Sequence, residues 1–267
     1  MEIYYICVVF AFGLLFGSFY NVVGYRIPNN MSIVTPGSFC PKCRHELKWY
    51  ELIPVFSFLI QKGKCRKCKC KISLFYPIIE LLTGILFLIS YLKFGFSSEF
   101  IISILISSFF VIVIVSDFNY LVISDEVTIF FSIISVILQF ALFGINGGIS
   151  SLIYGFFLFF LMYIIMLVGS NLMKEEALGG GDVKLMFFIG TILSAINPVI
   201  FNDIPTYSFL LNTFFEIFLA SCFASPFAII TFFSKKGRII PFGPFLLLGA
   251  LVMFLLQFNI IDLFIKI

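Results

Sequence analysis

Charged residues are scarce in this chain of 267 residues, since Asp, Glu, Lys and Arg together make up 12% of it. An ordinary globular domain carries about 25% of them. Apolar residues reach 61% here, and the mean hydropathy is +1.13. A water-soluble domain of this size cannot hide so much hydrocarbon in one core. The composition also excludes a disordered chain, a collagen-like fibre and a secreted disulfide scaffold.

The alternation of apolar and polar residues that a membrane β-barrel requires is missing as well. The long apolar runs are continuous, and a helix that spans a bilayer needs about 20 mostly apolar residues. The sequence therefore predicts an all-α polytopic membrane protein with about eight transmembrane helices. The runs cover residues 3–25, 77–91, 100–115, 127–143, 149–168, 185–200, 209–233 and 239–258. The second and third are short, so we expect them to borrow residues from their flanks.

Acidic residues are few between positions 26 and 71, where Glu46 and Glu51 oppose ten Lys and Arg residues. Such a basic segment after an apolar run is typical of a cytoplasmic loop, although nucleic-acid binding is an alternative. Threading eight spans with this loop inside puts 15 of the 17 Lys and Arg residues on the cytoplasmic side. We therefore expect both termini outside, a lipid bilayer around the helices and no nucleic-acid partner.

This topology predicts three parts. They are a first transmembrane helix (1–25), a cytoplasmic loop domain (26–76) and a seven-helix membrane domain (77–267). The first run lacks the basic start and small-residue end of a cleaved signal peptide, so we expect it to remain as a helix. The external connections that the topology predicts are 94–99, 144–148 and 197–207.

Four cysteines in the cytoplasmic loop form two CxxC pairs, Cys40 with Cys43 and Cys65 with Cys68. Paired CxxC turns supply the four thiolates of a closed tetrahedral zinc site, which is structural. The alternatives are four unrelated reduced thiols or two disulfides, which a reducing cytoplasm disfavours. Cys70 could compete for the ion, but it does not match the spacing and is expected to be a spare. We expect His45 to be a solvated turn residue, with a fifth ligand as the alternative. Zinc binding would fold a polar segment that has little apolar core.

Two aspartates border apolar runs, and charged residues at membrane depth are functional candidates. Asp117 closes the third run, and Asp182 opens the sixth after Gly179, Gly180 and Gly181. Both fall at the cytoplasmic face in the predicted topology. Two close carboxylates can share one proton, so that one activates water while the other donates. The alternative for Asp182 is a capping or dipole role at a helix N-terminus, which is the role that we expect for Asp125.

Several segments together resemble the bacterial prepilin peptidase family, which cleaves and N-methylates type IV pilins and pseudopilins. These segments include residues 17–28 (GSFYNVVGYRIP), 49–54 (WYELIP) and 76–83 (YPIIELLT), besides the two CxxC pairs and the GGGD motif at 179–182. The match covers nearly the whole chain. One departure is Ser124, where the family usually has proline.

The resemblance implies site residues and cofactors. Asp117 and Asp182 would be the catalytic pair, supported by the GGGD motif and Lys184, and the four paired cysteines would bind zinc. Gly63 and Glu80 would be associated with methyl transfer. The methyl donor would be S-adenosylmethionine, whose binding residues the sequence does not indicate because it has no dinucleotide-type glycine motif. The substrates would be prepilins or pseudopilins, and no oligomeric state is predicted.

Two other functions compete with an aspartic endopeptidase of the plasma or inner membrane. In an ion-coupled transporter the aspartates would relay protons, but both are expected at one face, and no inverted repeat is visible. In an inactive membrane scaffold the zinc loop would bind a partner protein.

Overall fold

The structure, a computed structural model, describes residues 2–174, 179–196, 206–233 and 241–257. Within these ranges the chain forms eight α-helices, which confirms the predicted all-helical fold. Two isolated antiparallel bridges, Phe39–Glu46 and Lys64–Lys71, lie in the predicted loop domain. The helices are α1 (Glu2–Arg26), α2 (Phe56–Ile60), α3 (Phe75–Phe94), α4 (Ser98–Tyr120), α5 (Asp125–Met173), α6 (Gly180–Leu193), α7 (Thr206–Phe233) and α8 (Gly243–Leu256).

Membrane-length helices account for most of the described residues. Among the described residues, four stretches are long and apolar enough to cross a bilayer, and two shorter apolar helices occur at Thr213–Pro226 and Gly243–Leu256. Large apolar side chains on the outer faces are exposed, for example Leu15 at 57% and Phe160 at 55%. Exposed apolar faces of this kind suit lipid rather than water. The four long stretches are Glu2–Asn29, Phe75–Phe94, Ser98–Tyr120 and Asp125–Leu172.

The predicted runs fall on these helices, with one difference in the connections. The second and third runs extend into their flanks, as expected. The predicted connection 144–148 is confirmed in position but is shorter than expected. Asp125–Met173 consists of two helices that meet at a kink, where only Gly144 leaves helical geometry, at φ 71° and ψ −166°. The predicted sixth run ends early, since α6 stops at Leu193. Residues 197–200 of that run and 197–205 of the next connection lie outside the described residues.

The chain divides into two compact units. Unit 1 comprises residues 1–100 and 107–119, and unit 2 comprises 101–106 and 120–267. In unit 1, helices α1 and α3 touch through glycines. A Cβ at Gly13 would lie 2.7 Å from Gly84 Cα, and a Cβ at Gly17 would lie 2.8 Å from Glu80 Cα. Small residues let two membrane helices approach backbone to backbone.

In unit 2, α6 packs against α5 and α8. Gly190 lies against the backbone of Tyr154 and Gly155, so the two helices are in direct backbone contact there. Polar contacts add to this interface. The Ser135 and Thr191 hydroxyls are 2.6 Å apart, and Gln139 Nε2 donates to the Thr191 carbonyl at 3.0 Å. Hydrogen bonds between helices replace the water that a lipid-embedded polar group lacks, and α6 is fixed firmly as a result.

Candidate active site and metal centre

Asp117 lies in unit 1, one turn before α4 ends at Tyr120. The residue is 5% exposed, and its neighbour Ser116 is also buried. The end of the helix is held locally, because Asn119 Nδ2 donates to the Val115 carbonyl at 2.6 Å. A carboxyl group buried at the end of an apolar helix is expensive to maintain. Its position therefore points to a functional role.

Asp182 lies in unit 2, in the first turn of α6, and is partly buried. Gly179 caps this helix in an extended conformation, and its carbonyl accepts the Asp182 N–H at 3.1 Å. Helix N-termini carry partial positive charge and favour a nearby carboxylate. The structure thus gives Asp182 the dipole-complementing position that the sequence offered as an alternative to catalysis, and the two roles are compatible.

The three glycines before Asp182 differ in their surroundings. A Cβ at Gly181 would lie 3.1 Å from Ile123 Cβ, and one at Gly179 would lie 3.3 Å from an Asp182 carboxylate oxygen. Gly180 is exposed, and a Cβ there would meet nothing within 4 Å. Gly181 is therefore needed for packing, and Gly179 leaves room for the carboxylate. Gly180 leaves open space beside it.

Lys184 extends from α6 to the start of α5. Its Nζ donates to Asp125 Oδ2 at 2.6 Å, and both side chains are about half exposed. Asp125 has the dipole position that was expected for it, as the first residue of α5, whereas the N-cap residue is Ser124. An exposed ion pair contributes about 0–1 kcal/mol. The effect of this ion pair is to orient the Lys184 side chain near the beginning of α6.

The four paired cysteines come together in unit 1. Their sulfur atoms all lie within 4.8 Å of one another. Cys40 Sγ is 3.8 Å from Cys68 Sγ, and Cys43 Sγ is 3.9 Å from Cys65 Sγ. Sulfurs that bind one zinc ion at Zn–S distances of about 2.3 Å lie about 3.8 Å apart in a tetrahedron. The cluster is therefore compatible with a zinc site, and its donor set fits that metal.

The pKa values of the cysteines shift in both directions. Although the His45 N–H lowers the pKa of Cys43, burial and the neighbouring sulfurs raise it to about 11. A hydrogen bond from the Cys43 N–H makes the largest contribution to the pKa of Cys40, which is lowered to about 6. Burial opposes this shift, and a hydrogen bond from the Lys42 N–H supports it. The thiolate is the form that binds metal. Cys70, the expected spare, lies beside the four, with its Sγ 3.6 Å from Cys40 Sγ and 3.2 Å from Cys68 Sγ.

Glu51 is a buried acidic residue that the sequence did not single out. Its Oε2 accepts the Lys48 N–H at 3.0 Å and lies 3.3 Å from His45 Nε2. Burial opposes its ionisation, but these hydrogen bonds and the charges of His45 and Arg66 lower the pKa of the Glu51 carboxyl. The expected solvated role of His45 is thus wrong, since the imidazole is 24% exposed and faces this carboxylate.

Gly63 and Glu80 both shape the loop around the cluster. Gly63 has φ +66°, and its N–H bonds to the Phe58 carbonyl at 2.9 Å, which closes the turn after α2. Glu80 is buried in α3, and its Oε2 accepts the Val55 N–H at 2.7 Å. A left-handed φ favours glycine, and a buried carboxylate needs such a donor. Both residues therefore hold residues 55–63 in place.

Two family models match consecutive parts of the chain. Residues 11–94 match the bacterial peptidase A24 N-terminal domain, and residues 104–230 match the type IV leader peptidase family. A prepilin leader peptidase/N-methyltransferase of Bacillus subtilis (strain 168) is 33% identical over 261 residues, 97% of each chain. Its counterpart in Myxococcus xanthus (strain DK1622) is 37% identical over 187 residues, 70% of this chain and 55% of that protein. That of Vibrio cholerae serotype O1 is 29% identical over 274 residues, 95% of this chain and 98% of that protein. No solved structure matches significantly.

The apolar helices indicate a membrane protein, and the family match identifies it as a protease. The chain belongs to the type IV leader peptidase family, and the resemblance noted from its motifs is confirmed. An enzyme is thereby favoured over the transporter and the inactive scaffold.

Proposed function

We propose that this chain is an aspartic endopeptidase that removes the basic leader from type IV prepilins or pseudopilins. Cleavage follows a glycine at the cytoplasmic face of the membrane. The enzyme then N-methylates the new N-terminal residue with S-adenosylmethionine. The names of the relatives support this substrate class and both activities.

One structural observation carries the peptidase assignment. Asp117 is a buried carboxyl at the end of a membrane-length helix, where the leader of a helical substrate would leave the bilayer. Asp182 adds a second carboxyl at the start of another helix, beside the open space at Gly180. We assign Asp117 and Asp182 as the catalytic pair and Lys184 and the three glycines as their support.

The chemistry of such a pair is general acid–base catalysis. The ionised carboxylate takes a proton from a water molecule as its oxygen attacks the glycine carbonyl carbon. The protonated carboxyl donates to the carbonyl oxygen and so stabilises the tetrahedral intermediate. The C–N bond then breaks, and the leaving amine receives a proton. Two aspartates with one proton between them supply both roles.

The zinc site that we propose is structural. Cys40, Cys43, Cys65 and Cys68 fill all four positions of a tetrahedral ion, so none remains for substrate. The ion would tie the two CxxC turns together and hold residues 26–76 as a cytoplasmic domain between the first helix and the membrane domain 77–267. We also assign the N-terminus to the outside, because the basic loop is expected inside.

For the methyl-transfer step we assign Gly63 and Glu80 as positioning residues. Gly63 has no side chain to offer, and the Glu80 carboxylate is bonded to the Val55 N–H. Their contribution is to fix the loop that would receive S-adenosylmethionine and the newly exposed amine.

The test is a cleavage assay with the purified protein in detergent and a synthetic prepilin peptide. We expect one cut after the leader glycine and, with S-adenosylmethionine added, a mass increase of one methyl group on the mature product. A peptide with the leader glycine replaced by a bulky residue is the control and should stay intact. Absence of cleavage of the natural peptide would contradict the proposal, and cleavage without the mass increase would contradict its methyl-transfer part.

A further inference from the structure

The two cysteine turns of the loop domain, residues 40–45 and 65–70, are structural repeats of each other. In each turn the first N–H bonds to the sixth carbonyl, and the fifth N–H bonds to the first carbonyl, all at 2.9 Å. The fifth residue has a positive φ in both, 55° in the first and 59° in the second. In each case one antiparallel bridge joins the residue before the turn to the residue after it. The sixth residues, His45 and Cys70, therefore occupy equivalent positions.

These equivalent positions hold different side chains with different surroundings. The His45 imidazole is directed to the buried Glu51, 3.3 Å from Oε2. The Cys70 side chain is directed to the sulfur cluster, 3.2 Å from Cys68 Sγ and 3.6 Å from Cys40 Sγ. The second turn thus offers three thiols to the cluster, whereas the first offers two.

Five sulfurs in one cluster exceed what a zinc ion binds, since its structural sites hold four ligands. The Cys70 sulfur lies closer to those of Cys40 and Cys68 than these two lie to each other, at 3.8 Å. Cys70 can therefore reach the same ion, and when it binds another sulfur must leave.

Exposure indicates which sulfur leaves. Cys40 and Cys65 are buried, whereas Cys68 is exposed. Cys68 and Cys70 are separated by one residue, so one can replace the other as a ligand through local movement of this turn. We infer that Cys70 is a fifth zinc-binding thiol that exchanges with Cys68 at one corner of the tetrahedral site. This inference rests on the zinc site proposed above.

The exchange is a ligand substitution without redox chemistry. The Cys70 thiol loses its proton to solvent, a new bond forms between Cys70 Sγ and zinc, and the bond between Cys68 Sγ and zinc breaks. The released Cys68 thiolate takes up a proton from solvent, and zinc stays divalent throughout. A resident fifth thiol at this corner makes the site tolerant to the loss of Cys68.

Zinc content of purified full-length variants tests the exchange. We expect Cys68→Ser and Cys70→Ser each to retain about one zinc per chain, as for a complete four-ligand site. The Cys68→Ser/Cys70→Ser double variant should lose the metal. Cys43→Ser is the matched control, since Cys43 holds the position in the first turn that Cys68 holds in the second, and it should also lose the metal.

The outcomes separate the two proposals. If the unmodified protein contains no zinc, both the proposed zinc site and the proposed exchange are wrong. If the unmodified protein contains zinc but Cys68→Ser loses it as Cys43→Ser does, only the exchange is wrong. A double variant that keeps as much zinc as Cys68→Ser would also overturn the exchange, because Cys70 would then not be the substitute.

Alkylation of the unmodified protein tests the same point without a substitution. The zinc-loaded enzyme is treated with less than one equivalent of N-ethylmaleimide, and the label is located by peptide mass mapping. Exchange predicts that labelled chains that keep zinc carry the label on either Cys68 or Cys70. A label on Cys70 alone would overturn the exchange. Cys7 and Cys222 lie on other peptides and serve as internal references.

Discussion

The cysteine segment, residues 38–72, and helix α6 are stabilised in opposite ways. Four residues of the segment are buried, namely Cys40, Glu51, Pro54 and Cys65. In α6, nine of 14 residues are buried, mostly large apolar ones. Burial of apolar surface holds α6, whereas the segment has almost none and depends on its sulfurs and hydrogen bonds. Metal removal should therefore unfold one region and leave the other intact.

Loss of the metal should produce the largest effect. Zinc binding to small metal-dependent folds is worth about 10–16 kcal/mol, so Cys43→Ser or a strong chelator should unfold residues 38–72. Limited proteolysis should then cut within that segment, while circular dichroism shows the same helix content. Cys222→Ser in α7 is the control and should change neither the proteolysis nor the helix content. Equal protection with and without metal would show that the segment does not need the ion.

Overpacking α6 should produce the next largest effect. A Cβ at Gly190 would enter the backbone of α5 at Tyr154 and Gly155, whereas one at Gly180 would meet nothing within 4 Å. Gly190→Ala should lower stability by about 1–3 kcal/mol, measured as thermal unfolding in detergent. Gly180→Ala makes the same change at the first residue of α6 without a clash and is the control. Similar unfolding temperatures for the two variants would contradict the close contact of α5 and α6.

Removing the charge of Glu51 should affect only the cysteine segment. Its Oε2 accepts the Lys48 N–H and faces His45. A glutamine oxygen can still accept that N–H, but a hydrogen bond to an ionised group is about twice as strong as a neutral one. Glu51→Gln should therefore speed proteolysis of residues 38–72 without changing the thermal unfolding of the helices. Glu46→Gln, at an exposed position, is the control. A change in helix unfolding alone would contradict the assignment of Glu51 to the segment.

Breaking the Lys184–Asp125 pair should have the smallest effect. Exposed ion pairs contribute about 0–1 kcal/mol, so Lys184→Ala should barely alter thermal unfolding. The coupling energy from a double-mutant cycle with Asp125→Ala should stay in that range and shrink with added salt. A coupling well above it would mean that the pair is less solvated than its half-exposed side chains indicate.

The helices could be predicted from the sequence because lipid requires long continuous apolar runs. The break at Gly144 could also be predicted, since it separates two apolar runs. Its length could not, because residues 145–148 are already helical and one non-helical residue separates the two helices. The burial of Asp117 could be expected, since it closes an apolar run. The contact of Lys184 with Asp125 could not, because it joins residues 59 positions apart on different helices.

The cysteine group was predictable for a different reason. CxxC spacing is fixed by the local turn that lets two sulfurs reach one ion, so Cys40, Cys43, Cys65 and Cys68 could be identified without a fold. The direction of the sixth residue in each turn is not fixed by spacing. His45 is directed to Glu51 and Cys70 to the sulfurs because of neighbours that only the folded loop supplies.

The most direct test of the account is cleavage by the single variants Asp117→Asn and Asp182→Asn. Asparagine keeps the shape of aspartate but cannot ionise, so each variant should lose activity by on the order of 10³-fold or more. Zinc content and helix content should be unchanged in both. Asp125→Asn, which alters a nearby exposed ion pair instead, should stay active. Near-normal cleavage by either Asp117→Asn or Asp182→Asn would contradict the assignment of the two aspartates as the catalytic pair.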